Sequence, residues 1–213
     1  MSKLQNNPLI EFAAVIGIIA ILAFFGPKDE TLGANVRIVY LHGAWVLTAE
    51  VAFTTAGLTG LIGLIGRLEA WNDWSAALGR TGLFFWLTYI PLSLWAMEAN
   101  WNGLFLAEPR FRLALTFAVV GLLLQFGLWI IKLGWLTSAA NIIYIVTLRV
   151  VFSAAQYVMH PPPSPIFNSG NWQIIGFFIA LNLLCWIAAY FLSRWFIHLG
   201  SKKALVDTGQ TMG

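Results

Sequence analysis

The sequence predicts an all-α, polytopic membrane protein: six transmembrane helices in one domain over residues 1–213, with both termini cytoplasmic. Three observations lead there. Of the 213 residues, 59% are hydrophobic and only 10% are charged, whereas a soluble domain carries about 25% charge. The apolar residues gather in six runs of about the length, roughly 20 residues, that a helix needs to cross hydrocarbon. The basic residues between those runs favour one side of the membrane.

The first run covers about 10–25 and stops at Gly26-Pro27. Glu11 sits near its inner end, where a side chain can snorkel to the headgroups. The polar stretch Met1 to Pro8 carries one lysine, and no small-residue cleavage pattern follows, so the segment reads as a retained span close to an uncleaved signal anchor. The second run, about 36–66, is long enough to tilt or protrude. Gly57, Gly60, Gly63 and Gly66 recur along it every third residue, a stripe that lets another helix approach closely. The third and fourth runs cover about 78–97 and 111–131. The fifth covers about 139–159 and meets His160, Pro161, Pro162, Pro163, Ser164 and Pro165, a stretch that cannot continue a helix. His160 is therefore expected at a rigid helix exit. The sixth covers about 174–197, where Asn182 is expected to bond across to a neighbouring helix. Backbone polar groups in lipid must pair within their own segment, so these runs are helices.

Orientation follows from charge. With the N-terminus inside, Lys3, Arg67, Arg80, Lys132, Arg194, Lys202 and Lys203 are cytoplasmic, and Lys28, Arg37, Arg110 and Arg112 are outside. The implied location is the inner (plasma) membrane, multi-pass. The basic residues are scattered between apolar runs and form no nucleic-acid footprint. Cys185 is the only cysteine, which excludes an internal disulfide, a dithiol pair and c-type haem attachment on this chain.

Three histidines are present. His42 near the start of the second span and His160 after the fifth share the outer side, and neutral imidazole is a good ligand for haem iron. Two readings stand: a shared metal site, or two interfacial histidines meeting lipid headgroups. His198, between Arg194 and Lys202, reads as a helix-end residue. Glu50 lies about 12 Å inward of His42 by helix rise, and Arg149 about 16 Å inward of His160. A charge in the membrane is costly, so pairing of Glu50 with Arg149 would relieve both, join spans two and five, and bring the histidines together. Arg37 and Arg110 add guanidinium groups suited to carboxylates. Trp45 and Trp101 offer flat apolar surfaces, although for each taken alone a place in the membrane belt is the favoured explanation.

Three segments, in order, resemble the haem-handling membrane proteins of cytochrome c maturation, in particular the small six-span member that works with an exporter. RIVYLHGAW (37–45) is similar to the segment bearing the family's first axial histidine, and places His42 there. SLWAMEANWNGLFLAEPR (93–110) is similar to the tryptophan-rich outer motif, with Trp101 at an early tryptophan and Glu108 and Arg110 at its closing acidic and basic positions. MHPPPSPI (159–166) is similar to the histidine-proline region, and places His160 as the second axial ligand. The proline that usually follows the first histidine is missing. Leu104, Phe105, Leu106 and Ala107 stand where the family has tryptophans, and Glu108 replaces an aspartate. The resemblance implies binding of haem b by His42 and His160, with Trp45, Trp101, Arg37 and Arg110 around it. It implies handling of haem for cytochrome c assembly without a catalytic residue, and a partner that is an integral membrane subunit or an extracytoplasmic haem chaperone. The reduced aromatic motif keeps a second function open: a structural or b-haem subunit of a larger respiratory or photosynthetic complex.

Overall fold

The structure is a computed structural model that describes residues 7–158 and 165–207, with side chains described to residue 200. Its helices are α1 (Pro8–Phe24), α2 (Val36–Gly66), α3 (Glu69–Trp101), α4 (Pro109–Ile131), α5 (Gly134–Ser153) and α6 (Trp172–Asp207), with a 3-10 turn at Phe167–Ser169. Among the described residues there is no strand beyond one isolated bridge, Asp29 to Gly33. Four helices, α2, α4, α5 and α6, are long and apolar enough to cross a membrane. The first is a 17-residue apolar helix, and α3 carries more polar residues in its first turns.

Local chemistry sets the ends. Asn7 caps α1 through its side chain, accepting from Leu9 N at 3.1 Å, with Pro8 in the first turn, where its missing N–H is harmless. Glu108 does the same for α4, accepting from Phe111 N at 2.6 Å ahead of Pro109. Arg67 and Lys132 close α2 and α4 in the left-handed region (φ 52° and 58°), the usual way to turn a chain out of a helix. In the α1–α2 connection Asp29 accepts from Thr31 and Leu32. The Thr31 hydroxyl and then these two amides hold the Asp29 carboxyl below the usual carboxylate range.

Two sequence expectations are corrected. The third helix runs from Glu69 to Trp101 and not only over 78–97, because Asn72, Ser75 and Ala77 in its first turns are buried against the bundle. The fifth begins at Gly134 and ends at Ser153, not 159. Its last carbonyls accept from Ala154 and Ala155, and Tyr157 turns to φ 57°.

The central helix is α2, packed along α3 and then against α5 and α6, with α1 laid on α6 and α4 on α3 and α5. Fully buried Trp86, Tyr40, Phe85, Phe178 and Leu148 fill the space between them. Gly57, Gly60 and Gly63 of the glycine stripe face inward as its spacing suggests, while Gly66 at the helix end is exposed. A Cβ on Gly57 would lie 3.0 Å from Ile145, and one on Gly63 only 2.5 Å from Asn72 Oδ1. The "upper" end of the bundle carries the α1–α2, α3–α4 and α5–α6 connections, and the "lower" end carries the two short ones.

Heights along the bundle are uneven, and this shapes the site. Phe152, at the upper end of α5, packs on Trp86 and Phe117 (ring centroids 5.6 and 5.9 Å). From Trp86, α3 continues to Trp101, about 22 Å further by helix rise. The upper parts of α2, α3 and α4 therefore stand above the point where α5 stops.

Candidate functional site

That step is where the charged and ionisable residues meet. The His42 ring leans on Tyr89 of α3 (centroids 5.1 Å, planes at 42°) and is half-buried. The Tyr89 hydroxyl lies beside Ser93 and within electrostatic reach of Glu108, Glu50 and Arg110. Glu108 and Arg110 reach this position because the capped, proline-led start of α4 fixes them in its first turn. Below them Arg149 Nη1 donates to Glu50 Oε2 at 2.7 Å. The expected pair thus forms and pins α5 against α2. Its side chains are unequal in access: Arg149 is 60% exposed and Glu50 22%. A guanidinium this open inside a bundle needs water, a headgroup or a ligand beside it.

The other predicted residues sort differently. Trp45 is buried and donates from Nε1 to Thr88 Oγ1 at 2.8 Å, its ring packed on Phe85 at 5.0 Å; it holds α2 to α3. Arg37 donates from Nε to the Gly26 carbonyl at 2.9 Å and lies over the Phe24 ring at 6.0 Å, so it ties the α1–α2 connection to α2. Trp101 meets Phe105 edge-on at 5.7 Å at the top of α3. Of the arginines proposed around a ligand, Arg110 is the one drawn toward Tyr89 and Glu50.

His160 lies outside the described residues. Its expected place at the exit of the fifth helix is corrected, since α5 ends at Ser153. The 16 Å depth reckoned from it to Arg149 along a helix does not apply, because 154–158 is not helical. Among the described residues no group of three or more His, Cys, Asp or Glu side chains could hold a metal ion, so His42 offers one ligand and not a closed site.

A second polar array, in the lower half, went unnoticed in the sequence. Ser138 donates to Asn72 Oδ1 at 2.7 Å. Asn141 Nδ2 donates to Ser75 O at 2.9 Å and Oγ at 3.0 Å. Gln125 Nε2 donates to Asn141 Oδ1 at 2.7 Å, and Ser75 Oγ to Ala56 O at 2.8 Å. All five side chains are buried, and together they join α2, α3, α4 and α5. The signal was available: Asn72 and Ser75, like Ser138 and Asn141, are three apart and so share a helix face. Asn182 is a correction, because its Nδ2 donates to Phe178 O of its own helix at 2.7 Å and not to a neighbour.

Fold and composition define the class: a helical bundle built for a lipid bilayer. No protein-family model, no curated protein and no solved structure matches the chain.

Proposed function

We propose that the chain binds b-type haem at the upper end of its bundle, with His42 and His160 as axial ligands, and handles it for cytochrome c assembly. The observation that carries this reading is the Glu50–Arg149 ion pair. It clamps the last turns of α5 to α2, about two helical turns below His42. His42 lies about 12 Å above Glu50 along α2, and α5 ends about 6 Å above Arg149. The seven residues from Ser153 to His160 span up to about 23 Å when extended, enough chain to bring a second imidazole to the first. Arg110 would meet propionates, and Tyr89 would back the His42 ring. Bound haem would supply an iron centre whose ligation the two histidines set.

In the same reading all six helices cross the inner membrane with both termini cytoplasmic. Arg67 and Lys132 close the two lower connections, and with the sequence's other inner-side basic residues, Lys3, Arg80, Arg194, Lys202 and Lys203, they form the excess that supports that orientation. Glu11 and Arg194, 3.7 Å apart, ease the burial of α1 beside α6. The physiological partner is an exporter subunit or an extracytoplasmic haem chaperone.

One observation favours a second reading, a subunit of a larger respiratory or photosynthetic complex. Leu104, Phe105 and Leu106 stand 53%, 42% and 52% exposed at the top of the bundle, an apolar surface that a neighbouring subunit would cover.

The test is pyridine haemochrome analysis and absorption spectroscopy of protein purified after haem-replete expression. About one haem b per chain is expected, with His42→Ala and His160→Ala each changing the spin state or lowering retention. Absence of haem, or spectra unchanged in both variants, refutes axial ligation by this pair.

A further inference from the structure

A groove of about 450 Å³ runs down the flank of the bundle between α2, α3 and α6. On α2 it extends from Thr48 to Thr59, about 16 Å by helix rise and close to half of a hydrocarbon core about 30 Å thick. Its threonine and serine hydroxyls each bond a carbonyl of their own helix. Thr48 donates to Ala44 O at 2.7 Å, Thr55 to Val51 O at 2.8 Å, Thr59 to Thr55 O at 2.8 Å, and Ser193 to Ala189 O at 2.8 Å. The remaining wall is aliphatic or aromatic. Along the α2 face, from Thr48 to Thr59, an occupant's hydrogen-bonding groups would go unsatisfied, whereas a hydrocarbon chain would not; the groove's other donors are the Tyr190 hydroxyl and the indole N–H groups of Trp71, Trp74 and Trp186.

The rim differs from the walls. Trp74 and Tyr190 stack across the groove (planes at 13°, centroids 6.4 Å), and the Arg194 guanidinium lies over the Tyr190 ring at 5.8 Å. Glu11 touches Arg194 from the other side at 3.7 Å, which leaves further guanidinium donors free of that contact. Aromatic rings beside a basic residue are the side chains that membrane proteins place at headgroup level, and a guanidinium suits phosphate. We propose that this groove holds one acyl chain of a phospholipid from the lower leaflet, with the lipid phosphate at Arg194. The proposal does not depend on haem.

The experiment places the full-length protein in nanodiscs of phosphatidylcholine and phosphatidylglycerol, with a trace of phosphatidylglycerol bearing a diazirine in its acyl chain. After irradiation, labelled peptides are mapped by mass spectrometry. Labelling is expected to be enriched several-fold over 48–59, 71–78 and 186–193 relative to the lipid-exposed face of α4 around Val119. Val51→Trp, which fills the groove from its open side, should remove that excess and leave α4 labelling as it was. Val119→Trp should leave the groove unchanged, and Arg194→Gln should lower groove labelling while the helical circular dichroism is retained. Equal labelling of groove and α4, indifferent to Val51→Trp, would show ordinary boundary lipid and overturn the proposal. A groove left unlabelled while α4 is labelled would overturn it too, in favour of a covering protein.

Discussion

Replacing Asn141 by Ala should destabilise the bundle more than any other single truncation of a polar side chain in its lower half. Asn141 is the hub of the array: it donates to Ser75 O and Oγ and accepts from Gln125. Hydrogen bonds between helices in membranes contribute roughly 0.6 kcal/mol each on average and up to about 1.7 kcal/mol. Three of them give about 2 kcal/mol, or a change of up to roughly 30-fold in the unfolding equilibrium. The site is tight, since a Cβ on Gly79 would come within 2.8 Å of the Asn141 amide, so the vacated space adds to the loss. Reversible unfolding in mixed micelles with increasing dodecyl sulfate, followed by circular dichroism, reads this directly. A cycle with Gln125→Leu and Asn141→Leu isolates one bond, with a coupling of about 0.6 kcal/mol expected. Strictly additive losses in that cycle, or an Asn141→Ala variant as stable as the parent, would refute the hub role.

Two further outcomes follow from the upper end. Single reversals Glu50→Arg and Arg149→Glu should each destabilise the protein in the same assay, and the double swap should restore part of the loss. Because Arg149 is largely exposed, the coupling should be nearer the roughly 1 kcal/mol of open pairs than the 3–5 kcal/mol of buried ones, and a purely additive loss would remove the clamp. Asp29 titrates below its ordinary value in the folded chain, so its contribution to the α1–α2 connection is complete above about pH 4 and is lost as pH falls through the depressed value. Protection of the Thr31 and Leu32 amides, as exchange relative to the intrinsic rate at each pH, should fall only in that acid range, and Asp29→Asn should abolish the pH dependence of that protection.

The parts of the fold that were legible in the sequence are those where one force dominates. The bounds of α2 were readable from the predominantly apolar run between Asn35 and Arg67, and its inward face from Gly57, Gly60 and Gly63. The Glu50–Arg149 contact was readable because two isolated charges in apolar helices have few other partners. The first turns of α3 were missed because Asn72, Asp73 and Ser75 look like a solvated loop; only tertiary contact with Ser138 and Asn141 makes that stretch a buried helix. The end of α5 was missed because 154–159 is apolar enough to continue a helix, and periodicity carries no mark of where packing partners stop. Among the proposed site residues, His42 lies against Tyr89 and Arg110 within electrostatic reach of it. Trp45 and Arg37 have the right type, but their hydrogen bonds to Thr88 and Gly26 show them holding the frame, which no spacing rule distinguishes from holding a ligand.

The two polar arrays differ in charge and in exposure. In the lower half every member of the Asn72–Ser75–Gln125–Ser138–Asn141 array is neutral, buried and bonded to another member or to backbone. Such a network specifies a packing and has nothing left to offer a ligand. In the upper half the groups are charged or ionisable, and Arg149 is 60% exposed even while paired. Length contributes to the difference: ring contacts put the last turn of α5 level with Trp86, while α2 and α3 continue past it, so the Tyr89 hydroxyl beside Ser93 takes its charged neighbours Glu108, Glu50 and Arg110 from α4 and α2 and not from α5.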